Sequence, residues 1–424
     1  MVKTLKILRI SIITIGLQFY LSVVYGDCTL RETKFLSYPS FTMENQYIRV
    51  TVVPYLSGRI TEYIYKPTGY NYFQRYQEQR RVSFSQNVEL VSHNFGGYSD
   101  QIWEEALRYN RGRYRFEILK SNSEITSIKV WKEAEDYKLE RIMSIYKGST
   151  ELNIKVKITH NSEAPHPYSY WAHSTVNCGG DFNFKDDVVI IPLRKNNKIF
   201  KSSLPTVRPN EERLFVEHLS KGGLYYFPKQ SWWAVIDREK KFGVGQIVLP
   251  DESVDKDVIF HTWCGFMWSK PEPTVPCLSQ EVIFPTQILN KGENIKISLS
   301  YFTIPGIKRV NYLNKYIALA IEPFQKDIQL TKGRKTSFRV QIVPTMVLEN
   351  LKLLLFLTNK KKTYKITELE LSTLIPGKIE EKLIELKGND WFSGVYQIKG
   401  ILSIKGNKVD EFTLTGVKVN IKEE

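Results

Sequence analysis

Apolar and polar residues alternate along most of this chain. Ile48, Val50 and Val52 are separated by Arg49 and Thr51. Ile154, Val156 and Ile158 are separated by Lys155 and Lys157, and Ile295, Ile297 and Leu299 by Lys296 and Ser298. A period of two marks a strand that buries one face. Turn sequences such as Ser57-Gly58, Pro67-Thr68-Gly69 and Lys291-Gly292 punctuate these runs. Helical periodicity is confined to two short stretches, 101–109 and 310–320. The pattern predicts an all-β fold.

The composition shifts near residues 322–333. Beyond that point there is no Cys or His and one Trp, with many Lys, Ile and Leu. Phe338, Val340 and Ile342 alternate with Arg339 and Gln341, and 351–357 is a nearly continuous apolar run, as a buried strand would be. Residues 391–396 open another strand and 412–421 close the chain. About seven such runs in the last hundred or so residues suit an immunoglobulin-like or fibronectin-like sandwich. The expected architecture is a large antiparallel supersandwich over 27–322, then a smaller Ig-like β-sandwich over 326–424.

The chain has 424 residues, 42% of them hydrophobic, enough for more than one core. Its 24 Tyr, 22 Phe and 8 Trp favour strands and flat recognition surfaces. Residues 1–26 read as a signal peptide. Lys3, Lys6 and Arg9 precede a mostly apolar run from Ile10 to Val24, which is short for a membrane span. The expected setting is therefore secreted, periplasmic or cell-envelope, with no stable membrane span after cleavage. Four cysteines remain after the cut. Cys264 and Cys277, flanking a Pro-rich loop, are the expected disulfide pair in such a setting. The net charge is +15. Its lysines are scattered, many on the polar faces of strands, which argues against nucleic acid as the partner. For an exported basic protein, anionic glycans or an anionic cell surface fit better.

There is no Gly-rich phosphate loop, no G-x-S-x-G elbow and no H-E-x-x-H. No cysteine or histidine spacing suggests a metal site, and no cofactor is implied. What remains is a histidine and a carboxylate in an aromatic setting. His173 lies in 168–180 (YSYWAHSTVNCGG), and Glu281 follows about a hundred residues later in an alternating strand. Such a pair suits acid/base chemistry on a sugar. Trp232-Trp233 and the segment holding Trp263 and Trp268 could stack on sugar faces, or pack in a core.

Several motifs occur in an order that resembles the galactose mutarotase-like, or aldose-epimerase-like, supersandwich. The turn Pro54-Tyr55-Leu56-Ser57-Gly58-Arg59-Ile60 resembles the P-x-x-G-G-R-I turn of those domains. Phe95-Gly96-Gly97-Tyr98-Ser99-Asp100 resembles a Gly-Gly site loop. Tyr170-Trp171-Ala172-His173 resembles the segment that presents the catalytic histidine. Gln280-Glu281 and Leu289-Asn290-Lys291-Gly292-Glu293 resemble the closing carboxylate strand and its turn, with Lys in place of the usual Pro. The resemblance spans roughly residues 40–305. It implies His173 as the acid at the ring oxygen and Glu281 as the base at the anomeric hydroxyl. It also implies a substrate site bordered by Arg59, His93, Gly96, Gly97, Trp171, Trp263 and Trp268. The alternative is a glycan-binding or envelope protein that keeps the fold without turnover.

Overall fold

The computed structural model describes residues 26–73, 96–102, 112–178, 186–192, 223–226, 228, 230–250, 258–266, 276–322, 327–331, 335–359, 362–387 and 394–422. The leader, His93 and Trp268 lie outside these residues. Within them the chain is all-β, with strands numbered β1 to β29 in chain order and no helix.

Two large sheets form the first sandwich. The ten-stranded sheet runs β1 (Thr29–Phe35), β2 (Tyr38–Glu44), β3 (Ile48–Val53), β4 (Arg59–Tyr65), β6 (Gly97–Ile102), β12 (Tyr170–Val176), β18 (Pro276–Ile283), β17 (Ile259–Phe266) and β14 (Gly223–Tyr226). The short β5 (Tyr70–Asn71) pairs with β4. The eight-stranded sheet runs β13 (Asp187–Ile190), β15 (Trp232–Asp237), β16 (Phe242–Pro250), β20 (Asn294–Pro305), β10 (Leu152–His160), β9 (Tyr137–Tyr146), β8 (Ile125–Glu133) and β7 (Arg115–Ser121). A small ribbon joins β11 (His166–Tyr168) to β19 (Gln287–Leu289).

The alternation in sequence becomes the two faces of each strand. In β10, Ile154, Val156 and Ile158 are buried while Lys155 and Lys157 face outward. Their antiparallel partner β20 sets Leu299, Ile297 and Ile295 against them. Between the two sheets lies an aromatic-rich core that includes Tyr63, Tyr72, Phe73, Tyr98, Tyr170 and Tyr301. Buried phenols need hydrogen-bond partners, and these cross the layer. The Tyr63 hydroxyl donates to the Thr150 carbonyl at 2.5 Å, and the hydroxyls of Ser174 and Tyr301 lie 2.6 Å apart.

One charged pair also crosses this core. Arg141 of β9 meets Asp100 of β6 at 2.5 Å, with both side chains fully buried. The other Asp100 oxygen accepts the Tyr170 hydroxyl, and Arg141 also donates to the Gly58 carbonyl. Burial, with Asp100 beside them, pushes the Tyr98 and Tyr170 phenols well above their ordinary range, so both remain protonated.

The last part of the chain forms a four-stranded and a five-stranded sheet. The first is β21 (Tyr312–Leu313), β22 (Ile317–Glu322), β24 (Lys335–Pro344) and β27 (Glu380–Lys387). The second is β23 (Asp327–Thr331), β29 (Asn407–Lys422), β28 (Gly394–Ile404), β25 (Leu348–Thr358) and β26 (Thr363–Leu374), with β23 parallel to β29. Leu351, Leu353, Leu355 and Leu357 of β25 join Ile317, Leu319 and Ile321 of β22 in their shared core.

The helix expected over 310–320 is absent; β21 and β22 occupy it. The reason is that β22 is buried on both faces. Its odd positions enter the C-terminal core, while Ala318 and Ala320 pack into a third cluster with Trp232, Ala234, Ile236, Phe302 and Ile304 on the back of the eight-stranded sheet. A strand buried on both sides shows no polar alternation, which hides its period. In the other expected helix, 101–109, Gln101 and Ile102 belong to β6 and the rest lies outside the described residues.

Candidate functional site

In β12, Tyr170, Ala172 and Ser174 point into the sandwich, so Trp171, His173 and Thr175 face away from it. In β18, Gln280 and Val282 point inward, Gln280 taking the Tyr72 hydroxyl; Ser279, Glu281 and Ile283 share the outer face. In β6, Tyr98 and Asp100 point inward and Ser99 outward. Register then sets one row across three strands. Ser99 lies opposite His173, and His173 opposite Glu281.

His173 and Glu281 are thus direct cross-strand neighbours, with Nε2 and Oε1 3.5 Å apart. The Glu281 side chain is 3% exposed and that of His173 27%. The carboxylate is buried and the imidazole partly open to solvent. The Trp171 and His173 rings lie edge to face, 6.4 Å between centroids. The row continues to position 261, since His261 of β17 pairs with Glu281 and Tyr225 of β14 with His261. Sequence reading passed over position 261, because the period of a strand shows its face and not its partner.

Arg59, Gly96 and Gly97 also come together. Arg59 is buried and donates to the Gly96 carbonyl. Gly97 has φ +74°, and a Cβ there would lie 2.2 Å from the Ile60 carbonyl oxygen. Only glycine allows β6 to approach β4 this closely. The Pro54–Ile60 turn and the Gly-Gly segment therefore form one device that seats β6, and with it Ser99, beside His173. Thr175 and Ser279, both buried, pair across β12 and β18 on the same outer face as His173.

Trp263 lies in β17 with its backbone placed opposite Gly223, but its side chain is outside the described ones, as are His93 and Trp268 entirely. Cys264 lies opposite Leu278 and Cys277 opposite Gly265; their side chains are likewise outside the described set. Cys28 and Cys178 are free and buried. Trp232 and Trp233 belong to packing. Trp233 is fully buried, stacked on Phe260 at 4.9 Å and bonded to Gln246 at 2.5 Å. Trp232 lies in the cluster behind the eight-stranded sheet. His160 is buried between the Tyr168 hydroxyl at 2.8 Å and the Ala164 carbonyl at 2.7 Å, a structural role. Among the described residues, no group of three or more His, Cys, Asp or Glu side chains is placed to hold a metal ion.

Chemically, the His173–Glu281 pair can hold one hydroxyl. Two polar atoms 3.5 Å apart can both reach a single oxygen at roughly 2.8 Å, the ordinary hydrogen-bond length. That hydroxyl would donate to Glu281 and accept from the imidazole N–H. The ring of Trp171 offers an apolar neighbour for the rest of the molecule.

No protein-family model matches the chain, and no curated protein is significantly similar to it. Solved structures are. A TPR-domain containing protein from Parabacteroides distasonis is similar over 66% of this chain, with a TM-score of 0.50 and 15% identity; the match spans about half, 48%, of that chain. A galactose mutarotase-like protein from Clostridium acetobutylicum matches 66% of this chain and 99% of its own, with a TM-score of 0.49 and 10% identity. A putative aldose 1-epimerase from Escherichia coli matches 65% of this chain and 100% of its own, with a TM-score of 0.45 and 7% identity. At these identities the likeness is one of fold.

Proposed function

We propose that this is an exported carbohydrate-binding protein that holds a sugar hydroxyl between His173 and Glu281 and moves its proton. The observation that carries this reading is the cross-strand contact of a buried carboxylate with a more open imidazole at 3.5 Å. The order of the mutarotase-like motifs in the sequence supports it, because Arg59, Gly97, His173 and Glu281 fall on neighbouring strands β4, β6, β12 and β18, with Gly96 just before β6. In this reading Glu281 accepts the hydroxyl proton and His173 donates to the ring oxygen or bridges the same hydroxyl. Interconversion of sugar anomers is the simplest reaction such a pair performs, since it needs a base, an acid and nothing else. The C-terminal sheets serve as an Ig-like accessory module.

A second reading, binding without turnover, draws on the same distance. At 3.5 Å the two groups can also clamp a single hydroxyl without passing a proton to the ring oxygen. Polarimetry of fresh aldose solutions, together with a glycan array on the mature protein, separates the two. Turnover that falls about 10²–10⁴-fold in both His173→Ala and Glu281→Gln supports catalysis. Glycan binding with no turnover in the unmodified protein supports the second reading. Neither turnover nor binding of any sugar refutes both.

A further inference from the structure

The outer face of the eight-stranded sheet carries a groove of about 620 Å³ on the far side of the sandwich from His173. Its lining includes Ile142 and Leu249, which flank the Lys155–Ser298 pair in one row across β9, β10, β20 and β16, and its cations are Lys129, Lys155, Lys157 and Lys296. Lys157 and Lys296 are direct cross-strand partners on β10 and β20. Like charges placed opposite each other oppose sheet pairing, so folding alone does not favour them.

The neighbouring carboxylates do not neutralise this face. Glu117 is engaged by Lys129, and Glu140 is held by Lys138 at 3.0 Å. Among the described residues, Lys155, Lys157 and Lys296 have no carboxylate within 4 Å. Lys155 and Lys296 are exposed and Lys157 is half-buried. Among the described residues the groove thus carries four lysines against one carboxylate, Glu140, which stands opposite Lys157, while Lys155 also lies in the field of Glu151.

We infer that this groove is a second binding site, for an acidic polysaccharide whose carboxylates or sulfates meet Lys155, Lys157 and Lys296. Ile142, the cross-strand neighbour of Lys155, receives the C–H face of a sugar ring. Among the described residues, the lining contains no aromatic ring on which a nucleic-acid base could stack. Successive lysines on one strand stand about 6–7 Å apart and partners on adjacent strands about 5 Å, a compact cluster rather than a track along a phosphate backbone. The site stands on its own geometry and does not require turnover at His173.

The test is calorimetric titration of the full mature protein with hexagalacturonate, with maltohexaose as the neutral control and a single-stranded oligonucleotide as a third probe. The unmodified protein should bind hexagalacturonate and not maltohexaose at this face, and binding should weaken as salt rises. The triple variant Lys155→Ser/Lys157→Ser/Lys296→Ser should weaken that binding about tenfold or more, from three exposed ion pairs each contributing modestly. Its thermal midpoint should be unchanged or higher, because a like-charge pair is removed. His173→Ala should leave hexagalacturonate affinity as it was, which separates this site from the one in the preceding section. Absence of hexagalacturonate binding, binding untouched by the triple variant, or tighter lysine-dependent binding of the oligonucleotide would overturn the inference.

Discussion

Removing Arg141 should be among the most damaging single changes in the protein. In Arg141→Met, Asp100 keeps the Tyr170 hydroxyl but loses its only counter-charge among the described residues, and the Gly58 carbonyl loses its donor. Both charged side chains are fully buried, so water cannot take the vacated place without opening the core. Breaking a buried pair from one side costs about 3–5 kcal/mol. Against the 5–15 kcal/mol typical of whole domains, that is about a fifth or more. The cycle is completed by Asp100→Leu and by the double variant Asp100→Leu/Arg141→Met. Replacing both partners with apolar groups is often neutral, so the double variant should recover most of the loss. Urea titration reads this directly, with the fully buried Trp233 as the fluorescent reporter. With a slope of about 3 kcal/mol per molar or somewhat more, the single variants should lower the midpoint by roughly 1 M. A single variant costing under about 1 kcal/mol, or a double variant costing the sum of both, would refute the argument.

Other expectations follow from the same structure. Gly97→Ala should lower stability by about 2 kcal/mol or more, since the new methyl meets the Ile60 carbonyl at a positive φ; a thermal midpoint equal to that of the parent chain would contradict this. Glu151 has its carboxyl raised above the usual range, chiefly by burial, despite a 2.6 Å hydrogen bond from Ser300. A raised carboxylate favours folding below its unfolded pKa and opposes it as pH climbs through the folded value. Glu151→Gln should therefore raise the melting temperature at pH 7 and change it little at pH 3.5, as read by scanning calorimetry at the two pH values. Burial pushes the Cys28 thiol up to about 11, so at pH 8 it should label with a disulfide reagent far more slowly than an exposed thiol. Rapid labelling of the native protein would show that β1 opens readily.

How far the sequence carried this reading differs from element to element. Alternation located β10 and β20 and told which side of each is wet. It did not tell that they pair, because Ile154 and Leu299 are distant in sequence and a period carries no partner. His173 and Glu281 were legible as residue types in family-like settings, and their contact became visible only once β12 and β18 were set in register. The Arg141–Asp100 pair left no trace in the sequence. Each residue there reads as one polar position in a strand, and its burial follows from two sheets meeting. In 317–322 the apolar residues fill both faces, so no face stood out.

The doubly buried β22 bears on how the molecule lives and is handled. Ile317, Leu319 and Ile321 complete one core, while Ala318 and Ala320 close the seam against Trp232, Phe302 and Ile304. A protease or an engineer who removes the C-terminal sheets therefore does not release a finished first sandwich. The cut exposes an oily wall on the back of the sheet whose front packs beneath His173 and Glu281, and such walls draw proteins into aggregates. The two sandwiches are expected to melt together, in one calorimetric peak. The terminal sheets then act as a permanent lining for their neighbour, and natural variation should trim loops at the rim long before it trims this appendage.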